Sequence, residues 1–92
     1  MMKLNLTKKF KKDTVKLVSA NPSLRNKLHD VLNVLSENPF SPSLKTHKLK
    51  GELKDFWSIS LTYEFRIIVQ FRRLDDETVI DLLTIGTHDE VY

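Results

Sequence analysis

Two side chains suited to chemistry lie close together at the end of the chain. The last seven residues are Gly86-Thr87-His88-Asp89-Glu90-Val91-Tyr92, and they follow what the apolar pattern predicts to be the final β-strand. Histidine can give or take a proton near neutral pH, which makes His88 a candidate acid or base. Tyr92 could stack on a flat ligand. The structural alternative is that His88 caps the strand and Tyr92 seals an edge of the core.

Two further candidates lie in the middle of the chain. Arg66 interrupts the apolar run Phe65–Val69, and its guanidinium is a permanently charged fork of donors that can clamp a phosphate. The structural alternative places Arg66 on the solvated face of a sheet, paired with Glu64. His47 is interleaved with lysines in Lys45-Thr46-His47-Lys48-Leu49-Lys50-Gly51. That segment predicts either a base beside phosphate-binding cations or a plain basic strand at the surface.

Other catalytic chemistries find little support in the sequence. The three histidines lack the spacing of zinc ligands, and the chain has no cysteine. Asp75-Asp76-Glu77 is typical of a hairpin turn, the two glycines do not form a phosphate loop, and no serine has the surroundings of a nucleophile. We therefore expect no metal ion and no cofactor.

The charge of the chain is unevenly distributed. Residues 1–50 carry eleven Lys and Arg against three Asp and Glu, whereas residues 51–92 carry four against nine. A basic half can follow a phosphate backbone, with an affinity that falls as salt rises. The alternative is that the lysines form the solvated face of an amphipathic helix, because the spacing of five of them fits that face: Lys8, Lys9, Lys11, Lys12 and Lys16.

Length and composition predict one small domain over residues 1–92. The chain is 40% hydrophobic and 29% charged, as expected for a globular protein. No apolar run approaches the roughly 20 residues of a membrane span, and the first residues lack the apolar region of a signal peptide. We expect a cytoplasmic protein whose fold rests on packing alone, because there are no cysteines for disulfides.

The N-terminal half predicts a strand followed by two helices. Residues 2–6 alternate between apolar and polar types, as in a short strand. Thr7 suits the N-cap of a helix over about 8–19, and Ser23 suits the N-cap of a second helix over about 24–37. Each helix has an apolar face at helical spacing, made by Phe10, Thr14, Leu17 and Val18 in the first and by Leu24, Leu28, Val31, Leu32 and Leu35 in the second.

Beyond Pro39 and Pro42 the apolar period changes from that of a helix to that of a strand. Strands are predicted over about 46–50, 56–62, 65–72 and 78–85, and the last is apolar enough to be central. The helices should cover the apolar face of this sheet and leave Ser58, Ser60 and Arg66 on the other. The predicted fold is α+β, with an N-terminal strand and a helix hairpin packed on a twisted, mainly antiparallel sheet of four to five strands.

Four short segments, in order along the chain, resemble one family of proteins. They are His47–Gly51, Phe56–Ser58, Phe65–Val69 and Gly86–Tyr92. Together they resemble the RelE/ParE superfamily of bacterial type II toxins, and in particular the RelE-like messenger-RNA interferases of the YafQ and YoeB kinds. The resemblance covers nearly the whole length. It implies the fold described above and a ribosome-dependent endoribonuclease that uses no metal.

The resemblance also implies partners for the chain. A cognate antitoxin would silence the toxin, and the substrate would be messenger RNA in the decoding site of the 30S subunit. A complex of toxin and antitoxin on operator DNA is a further prospect. No membrane is involved.

The resemblance assigns catalytic roles to three residues. His47 matches the position that accepts the proton of the 2′-hydroxyl next to the scissile phosphate. Arg66 matches the strand arginine that steadies the phosphate, and His88 matches the histidine that protonates the leaving 5′-oxygen. The simplest mechanism implied is therefore a base, a clamp and an acid.

Other site residues are carried over with less defined roles. Glu64 matches an acidic position of the YafQ branch, and Tyr92 matches a terminal aromatic that stacks on a base. Ser60 stands where YafQ-like members have a second histidine, whereas Arg66 follows the YoeB-like pattern. The basic strand expected to meet the RNA backbone carries Lys45, Lys48 and Lys50.

Two other functions stay open on the sequence. ParE-like relatives share the fold and poison DNA gyrase without cutting RNA, but they would not need the set His47, Arg66 and His88. A toxin-like protein that had lost activity would only bind its antitoxin or RNA, and Ser60 is the residue that favours this alternative.

Overall fold

The structure, a computed structural model, describes residues 2–92 and has the predicted α+β architecture. Single 3₁₀ turns at Pro42–Leu44 and Gly51–Leu53 flank the second strand. That strand was predicted over 46–50 but forms only two residues. The elements are β1 (Lys3–Leu6), α1 (Lys8–Ala20), α2 (Leu24–Glu37), β2 (His47–Lys48), β3 (Trp57–Ser60), β4 (Phe65–Leu74), β5 (Glu77–Thr87) and α3 (His88–Val91).

The five strands form one mixed sheet in the order β1-β5-β4-β3-β2. β5 is internal, as its apolar sequence predicts, and it pairs in parallel with β1 and antiparallel with β4. The β4–β5 hairpin turns through Asp75 and Asp76, whose φ angles of 49° and 65° are those of a type I′ turn. This confirms the predicted polar turn.

The start of α1 is tied to the sheet by one threonine. The Thr7 hydroxyl accepts a hydrogen bond from the Phe10 amide at 3.2 Å, which confirms the predicted N-cap. The same hydroxyl donates to the Leu82 carbonyl of β5 at 2.7 Å. Ser23 occupies the predicted N-cap position of α2, but its backbone is helical and its side chain makes no capping bond.

The core lies between the helices and one face of the sheet. The predicted helix faces supply Phe10 from α1 and Leu28, Val31 and Leu35 from α2. Each is buried because it packs against apolar strand residues. Those strand residues are Ile59, Leu61, Ile67, Val69, Ile80, Leu82 and Ile85. Among residues 2–92, no helix has the length and apolar character needed to cross a membrane.

A bulge interrupts the long β4–β5 ladder beside the core. Val69 pairs with Leu82, but the next residue, Ile68, pairs with Thr84, so Leu83 is an extra residue on β5. Bulges bend a strand and increase its twist. The bulge therefore sets the direction of the last four residues of β5, which lead into α3.

Candidate active site

Two cross-strand rows bring the predicted residues onto one face of the sheet. His47 pairs with Ser58, and Ser60 pairs with Arg66. Directly opposite residues project from the same face, and so do residues two apart on one strand. His47 and Arg66 therefore share the face opposite α1 and α2, hereafter the outer face. Strand spacing and rise place their Cα atoms roughly 12 Å apart, so both side chains can reach one ligand.

His47 is held with one ring nitrogen bonded and the other free for chemistry. It is exposed on β2, and its Nδ1 lies 3.0 Å from the Lys45 carbonyl oxygen. A carbonyl oxygen can only accept, so Nδ1 must carry the proton. In the neutral ring Nε2 is then unprotonated and can accept a proton. This is the arrangement that a general base needs.

Arg66 is half-buried and bonded only to neutral groups. Its Nη1 donates to the Ser60 hydroxyl at 3.0 Å and to the Thr62 carbonyl at 2.6 Å. Within residues 2–92 it forms no ion pair, so the pairing with Glu64 considered from the sequence is absent. Glu64 lies exposed in the β3–β4 turn. The positive charge of Arg66 is therefore held in place and left uncompensated.

Ser60 has a clear task in this geometry. Its hydroxyl donates to the Thr62 carbonyl at 2.9 Å and accepts from Arg66. The Thr62 hydroxyl in turn accepts from the amides of Glu64 and Phe65 at 3.2 and 3.1 Å, which fixes the turn. Ser60 thus orients the arginine.

His88 is the first residue of α3, a helix of one turn that the sequence reasoning missed. The Thr87 hydroxyl accepts from the Glu90 amide at 3.3 Å, and the Thr87 amide donates to the Glu90 carboxylate at 2.8 Å. This capping box holds the pKa of Glu90 below its ordinary value. Thr87-His88-Asp89-Glu90 has the spacing of that motif, which is the signal that could have predicted α3.

The His88 ring is exposed and has neighbours on two sides. Its Nδ1 lies 3.4 Å from the Asp89 carboxylate, which leaves Nε2 to face a ligand. The Tyr92 ring stands edge-on to it, with 4.2 Å between centroids and an interplanar angle of 86°. The Tyr92 hydroxyl donates to the hydroxyl of Ser58, which is fully buried on the outer face. The sequence placed Ser58 on this face but assigned it no role in the site.

The three lysines of the predicted basic strand do not share one face of the sheet. Lys48 pairs with Trp57, so it projects from the opposite face to His47. Lys50 lies past the end of β2, just before a 3₁₀ turn, and Lys45 ends the preceding 3₁₀ turn with φ 49°. All three lysines are exposed. The structure thus groups His47, Ser60, Arg66, His88 and Tyr92 around the outer face and sets Lys48 apart.

A cleft elsewhere in the molecule lies outside this group, and the acidic residues and histidines form no metal site in residues 2–92. A cleft of about 390 Å³ between α1 and α3 is lined by Lys9, Asp13, Glu90 and neighbours, and includes none of the histidines. Across the described chain, residues 2–92, no three His, Asp or Glu side chains come close enough together to hold a metal ion.

Comparison with known proteins identifies the family. Residues 2–92 match the family model described as the bacterial toxin of a type II toxin-antitoxin system, YafQ. The chain belongs to the YafQ family of toxins. Comparison with curated protein sequences gives no significant match.

Solved structures of bacterial toxins are similar to this chain in fold. A metal-bound toxin from Helicobacter pylori is 33% identical over 100% of both chains, with a TM-score of 0.79. The YoeB/ParE toxin from Agrobacterium tumefaciens is 23% identical over 95% of this chain and 99% of its own, with a TM-score of 0.78. A chain of the Escherichia coli DinJ-YafQ toxin-antitoxin complex is 22% identical over 99% and 97%, with a TM-score of 0.75. The last two share the fold.

Proposed function

We propose that this YafQ-family toxin is a ribosome-dependent endoribonuclease that cuts messenger RNA in the cytoplasm and thereby stops translation. The observation that carries the proposal is the uncompensated charge of Arg66 on the same sheet face as His47. A half-buried cation with only neutral partners favours an anion as its ligand. In RNA that anion is the phosphodiester.

The proposed reaction uses three side chains and no metal. Nε2 of His47 takes the proton of the 2′-hydroxyl as the 2′-oxygen forms a bond to phosphorus. The bond from phosphorus to the 5′-oxygen breaks, and Nε2 of His88 gives that oxygen its proton. The products are a 2′,3′-cyclic phosphate and a 5′-hydroxyl. Arg66 stabilises the charge that develops on the phosphate oxygens.

The exposed lysines at positions 45, 48 and 50 are proposed to contact RNA backbone around this centre. Lys45 adjoins His47 through its carbonyl, while Lys48 faces the other side of the sheet edge. Lys48 therefore contacts a segment of messenger RNA, or ribosomal RNA, that passes around the β2 edge of the sheet. Such contacts contribute to binding and to its salt dependence.

A cognate antitoxin is the second proposed partner. The Escherichia coli relative was solved as a toxin-antitoxin complex with DinJ. The basic N-terminal half of the present chain suits an acidic, partly disordered segment that orders on binding. A complex of this kind is also the form proposed to meet operator DNA.

The test is to map cleavage of a translated message by the purified toxin, with and without ribosomes. We expect cuts only on ribosome-bound message, with 2′,3′-cyclic phosphate ends. Equal cutting of naked RNA would contradict ribosome dependence. Absence of any cutting, together with inhibition of gyrase supercoiling in a parallel assay, would favour the ParE-like activity. Normal growth of a host that expresses the toxin without antitoxin would indicate an inactive binding module.

A further inference from the structure

Tyr92 connects the candidate acid to the buried part of the sheet. Its hydroxyl donates a hydrogen bond to Ser58, and its ring contacts the His88 imidazole at 4.2 Å between centroids. Ser58 is 0% exposed, so the core fixes the position of its hydroxyl. The C-terminal residue is thus anchored on β3, across β4 from the strand end that carries His88.

α3 needs such an anchor because it is one turn long. Isolated helices of this length are not stable in water. The capping box of Thr87 and Glu90 holds its first turn, and the Tyr92 amide donates to the His88 carbonyl at 3.1 Å. The bond from Tyr92 to Ser58 is a tertiary contact at the other end. Without it, the last residues and the ring that contacts His88 can fray.

We propose that Tyr92 is a positioning residue whose hydroxyl, bonded to Ser58, holds the aromatic ring against His88 and so fixes the imidazole that donates the proton. Its catalytic meaning rests on the proposed nuclease function. The proposal differs from base stacking in a way that one atom can test. Stacking needs the ring of Tyr92 and not the hydroxyl, whereas positioning needs the hydroxyl.

The experiment compares Tyr92→Phe, which keeps the ring, with Ser58→Ala, which removes the acceptor. Tyr63→Phe is the matched control, because Tyr63 is the only other tyrosine and is 94% exposed in the β3–β4 turn. Three quantities are measured: the ring resonances of His88 by NMR in the free toxin, assigned with His88→Gln, the single-turnover cleavage rate on ribosomes, and the affinity for programmed ribosomes.

We expect Tyr92→Phe and Ser58→Ala each to shift the His88 resonances toward those of an unstructured histidine and to slow cleavage about tenfold. Binding to programmed ribosomes should change by less than about twofold, because the phosphate clamp is intact. Tyr63→Phe should match the wild type in all three. The double variant should be no slower than either single variant, since both remove the same hydrogen bond.

Unchanged His88 resonances in Tyr92→Phe would overturn the proposal, whatever the cleavage rates are. So would additive effects of the two substitutions. If the resonances shift as expected but the wild-type toxin cuts no message, the positioning role stands and the proposed nuclease function fails. If Ser58→Ala does not fold, the comparison of Tyr92→Phe with Tyr63→Phe still decides.

Discussion

Arg66 and Arg72 lie on the same face of β4, yet they have opposite electrostatic surroundings. Arg72 donates from Nε and Nη2 to the two carboxylate oxygens of Asp81 at 2.5 and 2.9 Å. Asp81 is 6% exposed and also accepts from Asn5 at 2.8 Å. The Arg72 guanidinium, with help from Asn5, holds the pKa of Asp81 below its ordinary value. Arg66 has a hydroxyl and carbonyls as its partners instead.

The difference shows how one sheet face can serve two purposes. At the end near β1, the charge of Arg72 is met by that of Asp81 within the chain, so this pair contributes stability. At the end near α3, Arg66 and His47 are oriented by neutral groups, and the exposed His88 lies beside Asp89 and Tyr92. All three side chains remain available to a ligand. A charge that the fold orients without neutralising indicates where a charged ligand binds.

The largest effect on cleavage should come from removing the histidines at the end of the outer face near α3. His47→Ala and His88→Ala should each slow cleavage on ribosomes by about 10²–10⁴-fold, the usual contribution of a general acid or base. Both side chains are exposed, so thermal melting should stay close to that of the wild type. His29→Ala, on the exposed side of α2, is the matched control. Wild-type cleavage by His88→Ala would remove it from the mechanism.

The two arginines offer the direct comparison. Arg66→Ala should slow cleavage by about 10²–10³-fold, as expected for a donor that stabilises developing charge. Arg72→Ala should cut message at close to the wild-type rate but melt at a lower temperature, because it leaves Asp81 buried without its cation. Cleavage rates and melting curves on the same preparations test both. Equal losses of activity in the two variants would refute the distinction between the two ends.

Asp81→Asn should destabilise the fold by about 1.5–3 kcal/mol at neutral pH through the lost charged hydrogen bonds. Because the pKa of Asp81 is lower in the folded chain than the unfolded value of about 3.9, its contribution is complete above that value. It is lost as the pH falls through the folded pKa. The stability difference between wild type and variant in urea should therefore shrink below about pH 4. A difference that stays constant with pH would contradict this account. Asp30→Asn on the exposed side of α2 is the control.

The smallest effect should come from Gly86→Ala, opposite Arg66 on β5. A Cβ there would lie 3.1 Å from the Glu90 carboxylate and 3.3 Å from Val91, so α3 must move by a few tenths of an ångström. We expect a loss of about 1 kcal/mol of stability, at the low end for overpacking. The His88 resonances should shift while those of His47 do not. A shift at His47 instead would show that the strain enters the sheet.

The sequence predicted those parts of the molecule that depend on local pattern. Alternation along β4 correctly placed Ile67 and Val69 in the core and Arg66 on the opposite face. The short α3 escaped because its apolar pattern is too brief, although its capping motif is present in Thr87 and Glu90. The parallel pairing of β1 with β5 and the contacts of Tyr92 depend on residues far apart in the chain. No local pattern encodes them.

The bulge was not predicted from the sequence for a related reason, although the spacing of the apolar residues in β5 carries one sign of it. Leu82 and Ile85 both face the core although they are three residues apart, which breaks the strict alternation of a regular strand. The parity of the apolar residues changes at Leu83. Without knowledge of the partner strand, this change cannot be told from an irregular end of the strand.

The bulge at Leu83 makes the direction of the chain after β5 independent of the pairing of core residues between β4 and β5. The ladder is regular on both sides of it, so loss of this one residue would leave Ile67 opposite Ile85 and Val69 opposite Leu82. What would change is the local twist, and with it the angle at which the chain leaves the sheet toward α3. Insertion or loss of a single residue here can therefore change the direction of the α3 end of a toxin of this fold while its core stays the same.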